Sequence, residues 1–165
     1  MVAVTTVATA FGERDLGEVA VFRAAWRADA DALTELERDT NLVALAHVFS
    51  GVEFPYDAVH ARWVSLLDDP GVAVEVAGPA DRLDVYLAWG LDEPWRLRHL
   101  GVRPESWGRG LARQAVERAV GVRRLWVLRD NTRARGLYEH LGWSPTGREQ
   151  GAEWPPYPVE LEYAR

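Results

Sequence analysis

The hydrophobic period of the chain changes several times, and each change marks an element. VAVFRAAW (residues 19–26) is apolar enough for a first strand. From Asp29, ADALTELERDTNLVALAHVF reads as helical. Leu33 and Leu36 repeat at helix spacing, Asp29 and Asp31 sit where a helix N-terminus favours acids, and a break is expected near Thr40–Asn41. SGVEFP (50–55) is a connection. YDAVHARWVSLLDDPG then predicts a second helix with Val59, Trp63, Leu66 and Leu67 on one side, ended by Pro70–Gly71.

The period now shortens to two. VAVEVA (72–77), LDVYLAW (83–89) and WRLRHLGV (95–102) are β-rich runs joined by the hairpin-sized connections GPAD and GLDEP, so they predict an antiparallel meander. Leu111, Ala112, Ala115, Val116, Ala119 and Val120 place an apolar stripe on a helix over 110–120, and RRLWVL (123–128) predicts another strand. Asn131 or Thr132 can cap a helix whose Ala134, Leu137, Tyr138 and Leu141 share a face and which Gly142 ends. VELEYA (159–164) alternates as a last, half-buried strand. The order is strand, two helices, three strands, helix, strand, helix and two strands. It predicts one α/β (α+β) domain over residues 1–165, with a central mixed sheet covered by helices on both faces.

Composition narrows the chemistry. The 165 residues include no cysteine, which excludes disulfides, thiolate metal sites and cysteine nucleophiles. His47, His60, His99 and His140 are scattered without metal-ligand spacing, so no metal is expected. No segment approaches the roughly 20 apolar residues of a membrane span. The first residues lack the positive region of a signal peptide, so a cytoplasmic protein without a membrane partner is expected. The net charge of −6 argues against nucleic acid as a partner. Every basic residue is arginine. Ten arginines face five acids in residues 101–150, whereas eight face 17 acids in residues 1–100. That asymmetry suits an anionic ligand near the C-terminal half and a cationic one near the N-terminal half.

The stretch LGVRPESWGRGLARQAVERA (100–119) carries the most specific signal: a strand, a Pro104 turn, two glycines one residue apart, then a helix. The first main-chain N–H groups of that helix have no intrahelical partner, and Gly108 and Gly110 let a bulky anion approach them beside Arg109 and Arg113. A dinucleotide fingerprint starting at Gly108 needs Gly or Ala at position 113, where Arg113 stands. An ATPase-type phosphate loop needs lysine, and there is none. A tight turn, close packing and anion binding all fit the spacing.

The run VRPESWGRGLA (102–112) resembles motif A of the GNAT N-acetyltransferase superfamily, and NTRARGLYEHLGW (131–143) resembles its motif B. The elements above fall in that family's order over nearly the whole chain. The resemblance implies a mostly antiparallel sheet whose fourth and fifth strands splay apart, with the pantetheine arm of acetyl-coenzyme A between them. It assigns the pyrophosphate to the backbone of Trp107, Gly108, Arg109, Gly110, Leu111 and Ala112, with Arg113 nearby. Trp107 stands where the family usually has Gln or Arg. The strand backbone from His99 through Leu100, Gly101 and Val102 would pair with the pantetheine, with an amide near Leu100 polarising the thioester carbonyl. Asn131 would bond the coenzyme or cap its helix. Tyr138 sits where the family's tyrosine meets the coenzyme sulfur, so it is the expected acid for the leaving thiolate, unless it serves only as a core aromatic.

The resemblance further implies acetyl transfer from acetyl-CoA to a primary amine by direct attack in a ternary complex, without a metal. The amine must be neutral to attack. Glu93, Asp92 and His99 are the candidate bases, and a water chain is an alternative route. The family selects its acceptor with segments corresponding to HVFSGVEFPYD (47–57) and EQGAEWPPYPV (149–159). Both are aromatic and carry Glu53, Asp57, Glu149 and Glu153, which suits a small-molecule amine with an apolar body, bound as a cation. The same segments suit a homodimer contact. Acetylation of a protein N-terminal amine, and a non-catalytic acyl-CoA sensor, are the competing readings.

Overall fold

The computed structural model describes residues 19–92 and 95–165; Glu93 and Pro94 lie outside the described residues. A seven-stranded sheet has the order β1-β2-β3-β4-β5-β7-β6. Its strands are β1 (Phe22–Ala24), β2 (Val72–Ala77), β3 (Val85–Gly90), β4 (Arg96–Val102), β5 (Arg124–Leu128), β6 (Ser144–Gly151) and β7 (Val159–Ala164). Only β4 and β5 run parallel, and every other neighbouring pair is antiparallel. The helices are α1 (Ala30–Ala44), α2 (Tyr56–Asp68), α3 (Leu111–Arg118) and α4 (Thr132–His140). The expected meander, helix order and mixed sheet are all present.

Strand alternation divides β3 between two cores. Val85, Leu87 and Trp89 face α3 and α4, where Leu111, Ala115, Val116 and Tyr138 pack with Leu97, Leu125 and Val127. Tyr86 and Ala88 face α1 and α2, among Leu33, Leu36, Val59, Trp63 and Leu66. All six β3 residues are buried, as expected of a strand covered on both faces.

Two local expectations change. The first long helix does not break at Thr40–Asn41. Instead α1 continues to Ala44, because this stretch is tied to the end of β4. The buried Arg103 guanidinium donates to Asp39 Oδ2 at 2.8 Å and to the Leu83 carbonyl at 2.8 Å, and the Thr40 hydroxyl donates to the Val102 carbonyl at 3.3 Å. The apolar stripe of α3 also ends early. Ala119 is buried, whereas Val120 lies past the helix and is 85% exposed.

One packing constraint on the sheet is unusually tight. Gly101 of β4 lies opposite Tyr86 of β3, and a Cβ placed on Gly101 would stand 2.4 Å from the Tyr86 ring. The ring therefore crosses β4 where a side chain would otherwise be. Gly101→Ala is expected to lower unfolding stability by about 1–3 kcal/mol, the usual cost of overpacking. Chemical denaturation measures this, and a Tyr86→Ala change that costs less in the Gly101→Ala background than alone identifies the clash as the cause.

Candidate active site

β4 and β5 pair only at Arg96–Arg124 and Leu97–Leu125. Beyond that point β4 runs on to Val102 and β5 to Leu128 with no ladder between them, so the sheet opens as a V. A bulge lies at its apex: Ala88 faces His99 and Trp89 faces Leu97, which leaves Arg98 as the extra residue. The Val102 carbonyl is taken by Trp107 Nε1 at 2.7 Å and Thr40 Oγ1 at 3.3 Å, so it points away from β3. Pairing with β3 is unbroken from His99 to Val102. Main-chain polar groups therefore alternate, and the Leu100 N–H and carbonyl face the opening.

Two cavities meet at this opening and share Leu100, Asn131, Ala134 and Tyr138. The first, about 390 Å³, lies between the C-terminal end of β4, the glycine turn and the start of α4. Gly108 and Gly110 have φ of +80° and +77°, and Gly110 is the left-handed cap of α3. A Cβ at Gly108 would meet nothing within 4 Å, so empty space rather than protein packing lies above it. The N–H groups of Leu111, Ala112 and Arg113 open α3 with no intrahelical acceptor. Turn, free amides and open space together describe an anion cradle.

Trp107 accounts for its own departure from the family pattern. Its indole N–H ties the turn to Val102, and the Arg133 guanidinium stacks 4.1 Å over its ring. Arg133 lines the first cavity from the first turn of α4, as do Thr40 and Ala44 from α1. None of these three was anticipated. A cation in the first turn of a helix opposes the helix dipole, and for Arg133 that was the available signal. Arg113 lines the cavity while pairing with Glu117 at 2.8 Å. The Arg109 side chain does not reach the cavity; it lines a separate hollow beside Ala20 and Gly78. Its expected electrostatic contribution is therefore weakened, although its main chain stays within the turn. Asn131 Oδ1 accepts the Ala134 N–H at 3.1 Å, so Asn131 caps α4 and also lines both cavities.

The second cavity, about 490 Å³, lies toward α1, α2 and the β6–β7 end of the sheet. Tyr138 stands between the two cavities. It is 6% exposed, packs edge-on to Trp143, and has its phenol pKa raised by burial. His99 lies 5.3 Å from the Trp63 ring. Burial, with help from the Arg62 and Arg98 guanidiniums, lowers its pKa to about 3. The imidazole is thus neutral at physiological pH. Glu93 lies outside the described residues. Asp92 is exposed and lines neither cavity.

The two segments expected to select the acceptor do meet. Phe49, Val52, Glu53, Phe54, Trp154 and Pro155 line a third hollow of about 430 Å³, which shares Glu37, Asn41, Phe49 and Trp154 with the second cavity. Glu153 lines the second cavity, whereas Glu149 is held by Arg129 at 2.7 Å and Asp57 lines neither. Glu37, Arg62, Arg98 and Trp126 also line the second cavity and were not anticipated.

Residues 28–143 match the family model described as the acetyltransferase (GNAT) family. The chain belongs to this GNAT acetyltransferase family. It is 27% identical to an acetyltransferase from Thermus thermophilus, whose crystal structure superposes with a TM-score of 0.62 over 87% of this chain and 96% of that one. The PaiA N-acetyltransferase of Thermoplasma acidophilum, crystallised with coenzyme A, shares the fold at 13% identity, with a TM-score of 0.63 over 90% of this chain and 100% of that one. A 54-residue stretch is 46% identical to mycothiol acetyltransferase of Beutenbergia cavernae; it covers 28% of this chain and 18% of that protein. Among the described residues no cluster of His, Asp or Glu is arranged to hold a metal.

The state of His99 has a measurable consequence. Its folded pKa of about 3 lies below the unfolded value near 6.5, so between these values the unfolded chain binds a proton that the folded chain does not. Stability therefore falls as pH drops from about 6.5 toward 3. His99→Gln is expected to flatten that acid slope in denaturation curves taken at pH 7 and pH 5. An unchanged slope would show that the imidazole titrates normally.

Proposed function

We propose that this protein transfers the acetyl group of acetyl-CoA to the primary amine of a small molecule, by direct attack within a ternary complex. The observation that carries this reading is the meeting of two cavities at Leu100 and Tyr138, where β4 and β5 part. The first cavity is the coenzyme side. Free amides of Leu111, Ala112 and Arg113 hold the pyrophosphate across Gly108 and Gly110, with Arg133 adding charge. The open edge of β4 pairs with the pantetheine. The second cavity takes the amine.

Chemically, the amine nitrogen attacks the thioester carbonyl, a C–N bond forms, and negative charge grows on the carbonyl oxygen. The Leu100 N–H, already facing the opening, donates to that oxygen. As the C–S bond breaks, Tyr138 protonates the departing thiolate. Burial raises the phenol pKa, so the hydroxyl carries its proton when the coenzyme arrives. The excess proton of the amine leaves through water. The decisive assay follows amine-dependent thiol release from acetyl-CoA. Coenzyme binding without release from a broad amine pool would favour an acyl-CoA sensor.

Tyr138→Phe keeps the ring against Trp143 and removes only the hydroxyl. The expected result is a fall in kcat of roughly 10²-fold or more, with coenzyme affinity within a few-fold of wild type. A kcat equal to wild type would end the acid assignment while leaving the enzyme an acetyltransferase.

Gly110→Val should raise the Kd for coenzyme A at least tenfold, about 1.4 kcal/mol. A β-branched residue tolerates φ of +77° poorly, and the new side chain would crowd the cradle. Calorimetry on the folded variant decides this, and an unchanged Kd would remove the turn from the binding site.

A further inference from the structure

The second cavity has walls of opposite charge. Arg62 of α2 and Arg98 at the β4 bulge line one side. Glu153 and Glu160, in the β6–β7 connection and β7, line the other. Strand order sets β5 between β4 and β7, so the two groups stand on opposite sides of β5. Charge along the chain suits a cationic ligand near the N-terminal half and an anionic one near the C-terminal half, and this cavity, built from both halves, carries both signs.

The basic wall is also incompletely satisfied. Arg62 donates to Glu37 Oε2 at 2.5 Å, yet its Nε is buried with no partner. Arg98 is exposed and has no ion-pair partner among the described residues. Trp126, on β5 between the walls, buries its indole N–H without an acceptor. Glu37 is already engaged by Arg62 and by Trp63 Nε1 at 2.9 Å, so it does not answer these donors. An arginine with no ion-pair partner at the wall of a cavity matches a planar carboxylate.

We propose that the acceptor is a zwitterionic amine of α-amino-acid type with an apolar side chain. Its carboxylate sits on Arg98, on the wall that Arg62 shares. Its amine points to Leu100 and Tyr138, with the acidic wall of Glu153 and Glu160 balancing the ammonium as it binds. Its side chain enters the adjoining hollow of Phe49, Val52, Phe54 and Trp154, which opens from the same cavity. This inference rests on the acetyl-transfer reading of the site and adds the acceptor class to it.

The test uses the full chain saturated with coenzyme A and three probes of one shape: phenylalanine, phenylalaninamide and 2-phenylethylamine. Calorimetry is expected to show phenylalanine binding at least tenfold tighter than either carboxylate-free probe. Arg98→Gln should bring the ratio of these affinities toward one, and Arg98→Lys should restore part of it. Equal or tighter binding of 2-phenylethylamine, no binding of any probe, or a preference unmoved by Arg98→Gln would overturn the inference. Thiol release from acetyl-CoA separates this result from the broader one. Transfer without a carboxylate preference sinks only the acceptor class, whereas carboxylate-dependent binding without any transfer sinks the enzymatic reading and leaves the binding inference standing.

Discussion

Everything at the site depends on two parallel strands that stop pairing after two registers. A sheet interior normally satisfies each N–H and carbonyl with a neighbour, so parting β4 from β5 exposes an edge inside the molecule. The fold answers this locally at Val102, whose carbonyl is taken by Trp107 and Thr40. It leaves Leu100 unanswered by β5. An extended ligand with amide groups can pair with that edge as a strand would, which is why a pantetheine arm fits the gap. The glycine turn and α3 follow directly from the end of β4, so the anion cradle and the exposed edge are set by one continuous segment.

The same segment ties the first helix into place. Arg103 reaches back to Leu83 and across to Asp39, and Thr40 reaches Val102, so α1 is anchored to the mouth of the V. That anchoring lets α1 wall both cavities, with Thr40 and Ala44 toward the first and Glu37 and Asn41 toward the second. Asp39, Thr40 and Asn41 look like a helix stop because their side chains compete with the backbone in isolation. Here Asp39 and Thr40 have tertiary partners instead, and the helix runs through.

What the sequence made legible was whatever depends on neighbours along the chain. The glycine turn and the Asn131 cap each sit within a few residues and appear at their expected places, and the stripe of α3 holds as far as Ala119. The acceptor side was legible only as two aromatic segments. Its chemistry comes from pairs such as Glu37 with Arg62 and Arg98 with His99. The first pair needs α1 to lie beside α2, and the second needs a bulge that no composition signal marks. Burial likewise sets the protonation of His99. A strand histidine has an ordinary pKa near 6.5 on paper. Beside Trp63 and two guanidiniums it becomes a neutral wall residue.

The contrast between the two cavities bears on how such a site divides its labour. The coenzyme side relies on main-chain amides, a left-handed turn and an open strand edge, features that most substitutions of surrounding side chains leave intact. The acceptor side relies on side chains drawn from α1, α2, β4, β5 and the β6–β7 connection. Changing Arg98 or Trp126 alters the acceptor cavity without moving the edge of β4, because neither supports the Val102 or Gly110 geometry. Tyr138 is the exception. It borders both cavities, and its ring packs with Trp143, which the closing turn after α4 brings back toward the helix through the Trp143 N–H to the Tyr138 carbonyl at 3.0 Å. The two cavities therefore draw on separate side chains almost everywhere except at this phenol, and in the proposed reaction the leaving thiolate and the incoming amine are served from that one position.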